Sequence, residues 1–512
     1  MNTNTNIPNI PKEDFEFVGT DSYLHDKKLE TKPIGYFRDA FNRFVRNKSS
    51  VAAAIIIMIL VLYAIFVPML CQTSYSRALT DTMYQQYSKL PPKMKLLAWA
   101  GVDGTSKVTI NSNTYEAYRA KYVETGMNPI VKVYKANYED PKAASENARY
   151  YDIKVDNYYN MGMMELTLTP DQYKDLQAYQ SETGLQIIYP SVKTQSKDKN
   201  ANIWYKVDTR GNPVLDEDGN FINDYRIASV NDKSYDSLRI ASDTDPEQPY
   251  AYARVTGTSE VPSYIVRVSK YNYFIYRYGF EPSFNFGTTG NGFDIFTRLA
   301  AAARFSFLLA ICVSAVNLTI GTIYGSVQGY YGGWVDMIMD RICDVLGGIP
   351  FSVVTVLFQL HLSKQVGVIG ALIFAFVLTG WLGMAARVRM QFYRFKGQEY
   401  VLAARTLGAS DKRVMFKHIF PNSLGTIITG VVLVIPGVIF SESSLTYLGI
   451  VNLESSTMTS VGTMLANARS FFTSYPYIIF FPCLFIALLE ISFNLFGNGL
   501  RDAFNPSLRG VE

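Results

Sequence analysis

Residues 399–422 read Glu399-Tyr-Val-Leu-Ala-Ala-Arg-Thr-Leu-Gly-Ala-Ser-Asp-Lys-Arg-Val-Met-Phe-Lys-His-Ile-Phe-Pro-Asn422. A carboxylate at the first helical position meets the positive end of the helix dipole, so Glu399 reads as a helix start. Ala403 and Ala404 keep one face of that helix small, which lets another protein surface approach closely. Gly408 can take the left-handed conformation that ends a helix. Ser410 reads as the cap of a second helix running to His418. Pro421, followed by Asn422, reads as a break before the next apolar stretch. The expected product is a small knob of two short helices carrying basic charge.

Apolar runs flank this knob, and four more lie elsewhere. A hydrocarbon core takes about 20 mostly apolar residues to cross as helix. Six segments qualify: 51–70, about 305–330, 335–362, 366–386, 424–444 and 477–496. The expected class is an α-helical polytopic membrane protein of six spans. The 50 residues before the first span are polar and too long for the charged leader of a cleaved signal. Phe37, Phe41 and Phe44 recur at helical spacing there, among Arg38, Arg43, Arg46 and Lys48. That pattern suits an amphipathic helix lying on membrane lipid at the inner leaflet.

Basic residues orient the chain. Arg387, Arg389, Arg394, Lys396, Arg405, Lys412, Arg413 and Lys417 lie between the fourth and fifth spans, and a second cluster precedes the first span. Lys and Arg in short loops mark the cytoplasmic side. Both termini are then inside, in agreement with Arg501 and Arg509, and the stretch between spans one and two is outside. The location this implies is a plasma membrane, crossed several times.

That outer stretch, residues 72–283, holds 25 of the 36 tyrosines and no cysteine, so its core must rest on burial without internal disulfides. Its alternating runs, such as Asn202-Ile-Trp-Tyr-Lys-Val207, read as strands, and Arg210-Gly-Asn-Pro213 and Asp216-Glu-Asp-Gly-Asn220 as turns. Thr169 caps an expected helix with Pro170 at its first position. The expected insertion fold is α+β, and its tyrosines suit a binding surface. Asp216–Asn220 hints at a calcium loop but lacks the spacing and the terminal Glu of that motif, which favours a hairpin turn. The organisation read from the sequence is therefore 1–50 cytoplasmic, 51–71 first span, 72–283 outer insertion and 284–512 membrane core.

Cys71, Cys312, Cys343 and Cys483 lack metal-ligand spacing and read as buried, inert thiols. His25, His361 and His418 form no ligand pair, so no metal site is expected. No Gly-Lys pair occurs, which excludes a P-loop in this chain, and nothing points to nucleic acid.

The 399–422 stretch resembles the EAA loop of ABC importer permeases, with Glu399, Ala403, Ala404, Gly408, Pro421 and Asn422 at the positions of that pattern. Gly287–Arg298 with Ala303-Arg304-Phe-Ser306, Gly329–Asp336, Glu442–Gly449 and Phe493–Pro506 resemble further segments of the OppC/DppC-type permeases of peptide importers. The family usually has an acidic residue where Thr289 stands and often a basic one where Phe293 stands. The resemblance covers the first span and 284 to the end and leaves the insertion outside. It implies a type I importer permease fold and a transporter subunit that is not itself an enzyme. It also implies coupling of the EAA loop to separate ATPase subunits. The partners implied are an OppB-like second permease, two OppD/OppF-like ATPases, an extracytoplasmic solute-binding protein and an oligopeptide or dipeptide substrate. No cofactor is expected on this chain, ATP and Mg being used by the partners. An importer of nickel chelates or another small solute stays open as an alternative. So does a membrane-anchored outer enzyme or receptor, against which the loop argues, since an anchor needs no coupling helices.

Within the membrane Glu442 and Glu490 are costly charges and hence pathway or packing candidates. Asn494, one turn from Glu490, is its expected partner. Asp336, Asp340 and Asp344 share a helical face and read as a solvated or inter-subunit charge face.

Overall fold

The computed structural model describes residues 36–70, 84–142, 148–193, 200–209, 211–227, 234–236, 250–258, 260–454 and 458–504. The features expected at Cys71, Arg210 and Arg509, and in the first 35 residues, lie outside these.

The chain begins with α1 (Tyr36–Arg46) and the long apolar α2 (Lys48–Leu70). In α1, Ala40 and Phe44 are buried while Phe41 stays 65% exposed. Phe44 meets Phe496 edge to face at 5.3 Å. The aromatic stripe expected to rest on lipid is thus split, with Phe44 packing on the last helix of the protein.

The insertion folds as α+β. Its first sheet is antiparallel in the order β1 (Thr105–Asn111), β3 (Arg149–Asp156), β2 (Ile130–Glu139). Helix α3 (Ser112–Thr125) follows β1, capped by the Asn111 side chain. The second sheet runs β4 (Met163–Leu168), β8 (Pro262–Ser269), β7 (Ala253–Gly257), β6 (Tyr235–Asp236), with β5 (Ile188–Tyr189) also paired to β8. Helices α4 (Pro170–Thr183) and α5 (Lys270–Tyr278) complete it, and Thr169 and Gln172 form the capping box of α4.

Asn202–Val207 is not a continuous strand. Trp204 and Tyr205 are both buried, which breaks the alternation a strand face requires. Isolated bridges (Tyr205 to Asn223, Val207 to Pro213, Leu215 to Phe221) make hairpins instead. The Asp216 carboxylate accepts from the Asp218 and Asn220 amides, so that segment is a turn closed on itself. The tyrosines divide between core and surface: Tyr158, Tyr173, Tyr189, Tyr252 and Tyr271 are buried, while Tyr122, Tyr134 and Tyr159 are exposed.

At the centre of the insertion Arg267 and Glu124 form an ion pair at 2.5 and 2.7 Å, their side chains 2% and 4% exposed. Arg267 also donates to the Ala201 and Pro190 carbonyls. Removing one partner of a buried pair costs about 3–5 kcal/mol, because the other charge stays buried. Arg267→Met is therefore expected to lower the unfolding midpoint of the insertion sharply, with Arg267→Met/Glu124→Leu recovering much of it. Proteolysis of the insertion across a temperature series reads this out, and equal stability of Arg267→Met and the parent would refute it.

Both ends of the insertion return to one place. The Lys93 amide donates to the Phe284 carbonyl at 2.8 Å and Leu90 to the Thr288 hydroxyl at 2.8 Å. Tyr87, Leu90, Phe274, Phe284 and Phe293 form the core of that junction. Residues 84–93 therefore fold with the start of the membrane core, although the boundary read from composition lies at 72.

The core continues with α6 (Ile295–Tyr331), α7 (Gly333–Gly347), α8 (Phe351–His361), α9 (Ser363–Gly380), α10 (Leu382–Phe395), α11 (Glu399–Thr406) and α12 (Asp411–Arg413). A π-helical segment (Val414–Ile419) leads into α13 (Phe420–Tyr447), followed by α14 (Val461–Ala468) and α15 (Tyr477–Phe504). Among the described residues, five helical segments are long and apolar enough to cross a membrane, and α7 with α8 makes a sixth only as one span bent by 74°. The bend falls at Gly347-Gly348-Ile349-Pro350, where the proline disfavours helix in the residue before it. Helix α6 starts ten residues before the apolar run, because Asp294 caps it through the Phe296 and Thr297 amides. Cys312 and Cys483 are exposed on the outside of the bundle rather than buried, and Cys343 is half-buried.

Helix α6 packs on α10 along Gly321, Gly325 and Gly329. A Cβ at Gly321 would come 2.7 Å from the Met384 Cβ, and one at Gly329 the same distance from the Phe392 Cβ. Gly329, which opens the Gly329–Asp336 segment, is thus a close-approach glycine just before the chain reverses. The reversal itself is made by Gly332 and Gly333, at φ +65° and +57°.

Candidate functional site

The 399–422 loop is built as one short helix and one long one. Val401, fully buried, seats α11 against Tyr330, Val388, Phe392, Val414, Met415 and Ile419. Gly408 adopts φ +81° and ends the helix, its amide donating to the Arg405 carbonyl at 2.9 Å. Glu399, at the first position of α11, is exposed, as are Ala403 and Gly408, while Ala404 is half-buried. Leu407 at the tip is 88% exposed, and Leu402 and Phe416 are about half exposed at 49% and 47%. The outward face of the knob is therefore apolar at its tip and ringed by Arg405, Lys412, Arg413 and Lys417.

Two expectations for the second half change. Ser410 occupies the cap position but makes no side-chain cap bond, and its carbonyl accepts from the Val414 amide at 2.9 Å. The helix does not stop at His418. It runs on from Asp411 to Tyr447, and Pro421 sits inside that run. A proline lacks the N–H and its ring crowds the carbonyl four residues back. The π-helical segment just before it widens the backbone and relieves that crowding, so the chain continues without a break. Both Pro421 and Asn422 are exposed. Asn422 Nδ2 donates to the His418 carbonyl at 2.8 Å and to the Tyr400 hydroxyl at 3.2 Å, tying the long helix to α11. Burial raises the Tyr400 phenol above its ordinary value, and the Asn422 bond pulls it back in part.

Further contacts bind the knob to the spans. The Tyr330 hydroxyl donates to Asp411 Oδ1 at 2.5 Å, and the Arg405 guanidinium lies 4.9 Å above the Tyr330 ring. Lys396 Nζ donates to the Gly329 carbonyl at 3.1 Å, and partial burial, with Arg405 nearby, lowers its pKa. Arg389 reaches Asp336 at 2.7 Å and Asp340 at 3.2 Å, and Tyr393 donates to Asp336 at 2.5 Å. Asp336 is therefore drawn into a clasp between α7 and α10, Asp340 stands at its exposed rim, and Asp344 pairs with Arg341 at the surface.

The intramembrane residues are set apart from this knob. Glu442 is fully buried and accepts from the Ser306 and Thr446 hydroxyls at 3.2 and 3.1 Å, so it joins α13 to α6. Asn494 Nδ2 donates to the Glu490 backbone carbonyl at 2.9 Å, not to its carboxylate. An Asn side chain on a helix readily bonds the backbone carbonyl four residues back. Among the described residues no group of His, Cys, Asp and Glu is arranged to hold a metal. The sequence singles out neither the anchor Val401 nor the tip Leu407, and it marks Arg389 only as one of the orienting cations. Val401 stands between Tyr400 and Leu402, so no local contrast marks it.

Residues 317–510 match the model of the family described as "Binding-protein-dependent transport system inner membrane component". Residues 35–92 match that of the "N-terminal TM domain of oligopeptide transport permease C". The oligopeptide transport system permease protein OppC of Bacillus subtilis is 42% identical over 224 residues, 44% of this chain and 72% of that one. The dipeptide transport system permease protein DppC of the same organism is 40% identical over 44% of this chain and 69% of its own. The OppC of Haemophilus influenzae is 37% identical over 44% and 70%. A solved MetNI methionine ABC transporter chain aligns at 14% identity and a TM-score of 0.34, over 40% of this chain and 96% of that one. The identities to OppC and DppC, over more than two thirds of each relative, decide the matter. The chain belongs to the OppC/DppC-type permeases of peptide ABC importers, multi-pass membrane subunits whose family implies a partner permease, separate ATPases and a binding protein.

Proposed function

We propose that this chain is one of two permeases in a peptide importer, with the type I fold, six spans and both termini in the cytoplasm. It lines half of the pathway for oligopeptides or dipeptides. The knob at 399–422 docks on an ATPase subunit, Glu399, Ala403, Ala404 and Gly408 shaping the contact and Pro421 and Asn422 holding its base. The partners are an OppB-like permease, OppD- and OppF-like ATPases that use ATP and Mg, and an extracytoplasmic binding protein. This chain itself binds no cofactor. Residues 72–283 lie outside the membrane.

The observation that carries this reading is the knob's construction. Its tip is exposed and apolar, while its base is fixed to α6, α10 and α13 by Val401, Tyr330 and Asn422. A push at the tip therefore moves helices rather than a loose loop. Native mass spectrometry of the complex purified from membranes is expected to show this chain with one second permease and two ATPases. Recovery of the chain alone, in preparations that still transport, would refute the assignment.

A further inference from the structure

Lys93 and Asp103 pair across a short hairpin, where the Met94 amide donates to the Val102 carbonyl at 2.9 Å. Its tip is a turn of 3-10 helix, Lys95–Ala100, closed by Gly101 at φ +88°. The tip reads Lys95-Leu-Leu-Ala-Trp-Ala100; every residue in it is exposed, and Lys95 is its one charge. Leu96 and Trp99 are each 85% exposed. Residues three apart eclipse in a 3-10 helix, so these two side chains point the same way. A run of exposed apolar residues works against solubility unless it has a use, and such a patch marks a surface for protein or membrane.

The stem fixes the height of this tip. The Lys93 amide bonds to the Phe284 carbonyl, and two residues on Phe286 stacks on Phe481 at 4.0 Å and meets Phe296 edge to face at 5.0 Å. Tyr63 of α2 packs on Phe296 at 5.1 Å and donates to its backbone carbonyl. Tyr63 lies about 22 Å along α2 from Lys48, at about 1.5 Å per residue, and a hydrocarbon core is about 30 Å thick. With Lys48 at the inner surface, this ring cluster sits in the outer half of the bilayer, near its boundary. Trp99 hangs within about 14 Å of the stem, the reach of the chain from Asp103. Trp is favoured at a membrane boundary, and a lysine beside it lays its stem on apolar surroundings while its head reaches lipid phosphates. A docked protein would find few hydrogen-bonding groups on this tip, where a typical interface carries about ten such bonds. We propose that the 93–103 hairpin dips Leu96 and Trp99 into the outer leaflet of the bilayer, with Lys95 at the phosphates, and so anchors the insertion to the membrane beside the core. The proposal rests on the reading that α2 crosses the membrane and that the insertion lies outside it.

The test uses the complex purified from membranes and reconstituted into vesicles of phosphatidylcholine brominated on its acyl chains, either near the headgroup or deep in the chain. The other tryptophans cancel when the emission of Trp99→Phe is subtracted from that of the parent. The Trp99 emission is expected to be quenched about twofold or more by the shallow brominated lipid and little by aqueous iodide. Leu96→Asp, at a position exposed in the fold, is expected to remove most of the lipid quenching and to open Trp99 to iodide. Quenching of the parent by iodide alone leaves the tip in water, and shielding from both quenchers places it against a protein partner. Either result overturns the proposal, as does lipid quenching that Leu96→Asp leaves unchanged. Ile59→Trp, on the exposed side of α2 and made in the Trp99→Phe chain, is the reference within the membrane. Quenching there by the deep brominated lipid, without lipid quenching of Trp99, overturns the hairpin alone. No lipid quenching at either site overturns the crossing on which it rests.

Discussion

Gly408→Val is expected to lower solute-stimulated ATP hydrolysis by tenfold or more while the permease still reaches the membrane and assembles. The residue sits at φ +81°, a conformation that costs a residue with a Cβ about 1–2 kcal/mol and a β-branched one more. A Cβ there would meet no atom within 4 Å, so crowding within this chain contributes nothing. The whole effect comes from the backbone, which would relieve its strain by turning the end of α11 and with it Leu407. A loss of 1.4 kcal/mol at the docked contact corresponds to about a tenfold loss of rate. Asn tolerates the left-handed region, so Gly408→Asn is expected to keep most of the stimulation. Glu399→Lys, which puts a cation at the positive end of α11, is expected to act in the same direction but more weakly. Basal and stimulated hydrolysis measured on the reconstituted complex check this. Normal stimulation in Gly408→Val would remove the docking role from the tip.

The knob was legible in the sequence because its signals are local. A glycine with a positive φ, a carboxylate at a helix start and an apolar run beyond all act within a few residues of themselves. The capped helix at Thr169-Pro170 was legible for the same reason. What could not be read was set by partners far along the chain. Pro421 breaks a helix by local rules, yet a π-helical segment absorbs it. Asp336 looks like part of a solvated face until Arg389, about 50 residues on, reaches it at 2.7 Å. Residues 202–207 read as one strand, but a hairpin core buries both Trp204 and its neighbour Tyr205.

The pattern of small residues on α6 was also present in the sequence, at Gly321, Gly325 and Gly329, and it leads to the second large effect. A methyl group at Gly325 would press into the Ala385 carbonyl and lie 2.9 Å from the Val388 Cβ. Backbone on the opposite helix cannot step aside as a flexible side chain can, so α6 and α10 must separate. Helices in a bilayer have no hydrophobic drive toward one another, and close van der Waals packing between small residues holds them together. A gap of 0.5–1 Å already forfeits about a quarter to a half of each contact. Overpacking of this kind costs about 1–3 kcal/mol and occasionally more. The damage would spread, because α10 carries Arg389 and Phe392, which hold the clasp to α7 and the base of the knob. Gly383 on α10 is the natural comparison, since a Cβ there meets nothing within 4 Å. Ala favours helix over Gly by about 1 kcal/mol, so Gly383→Ala is expected to be neutral or slightly stabilising. Gly325→Ala, the same chemical change, is expected to lower the apparent unfolding temperature of the purified permease by several degrees. Gly325→Leu is expected to leave little assembled complex. Size-exclusion profiles after heating distinguish the three, and a Gly325→Ala permease as stable as the Gly383→Ala one would show that α6 and α10 do not meet as closely as their backbones indicate.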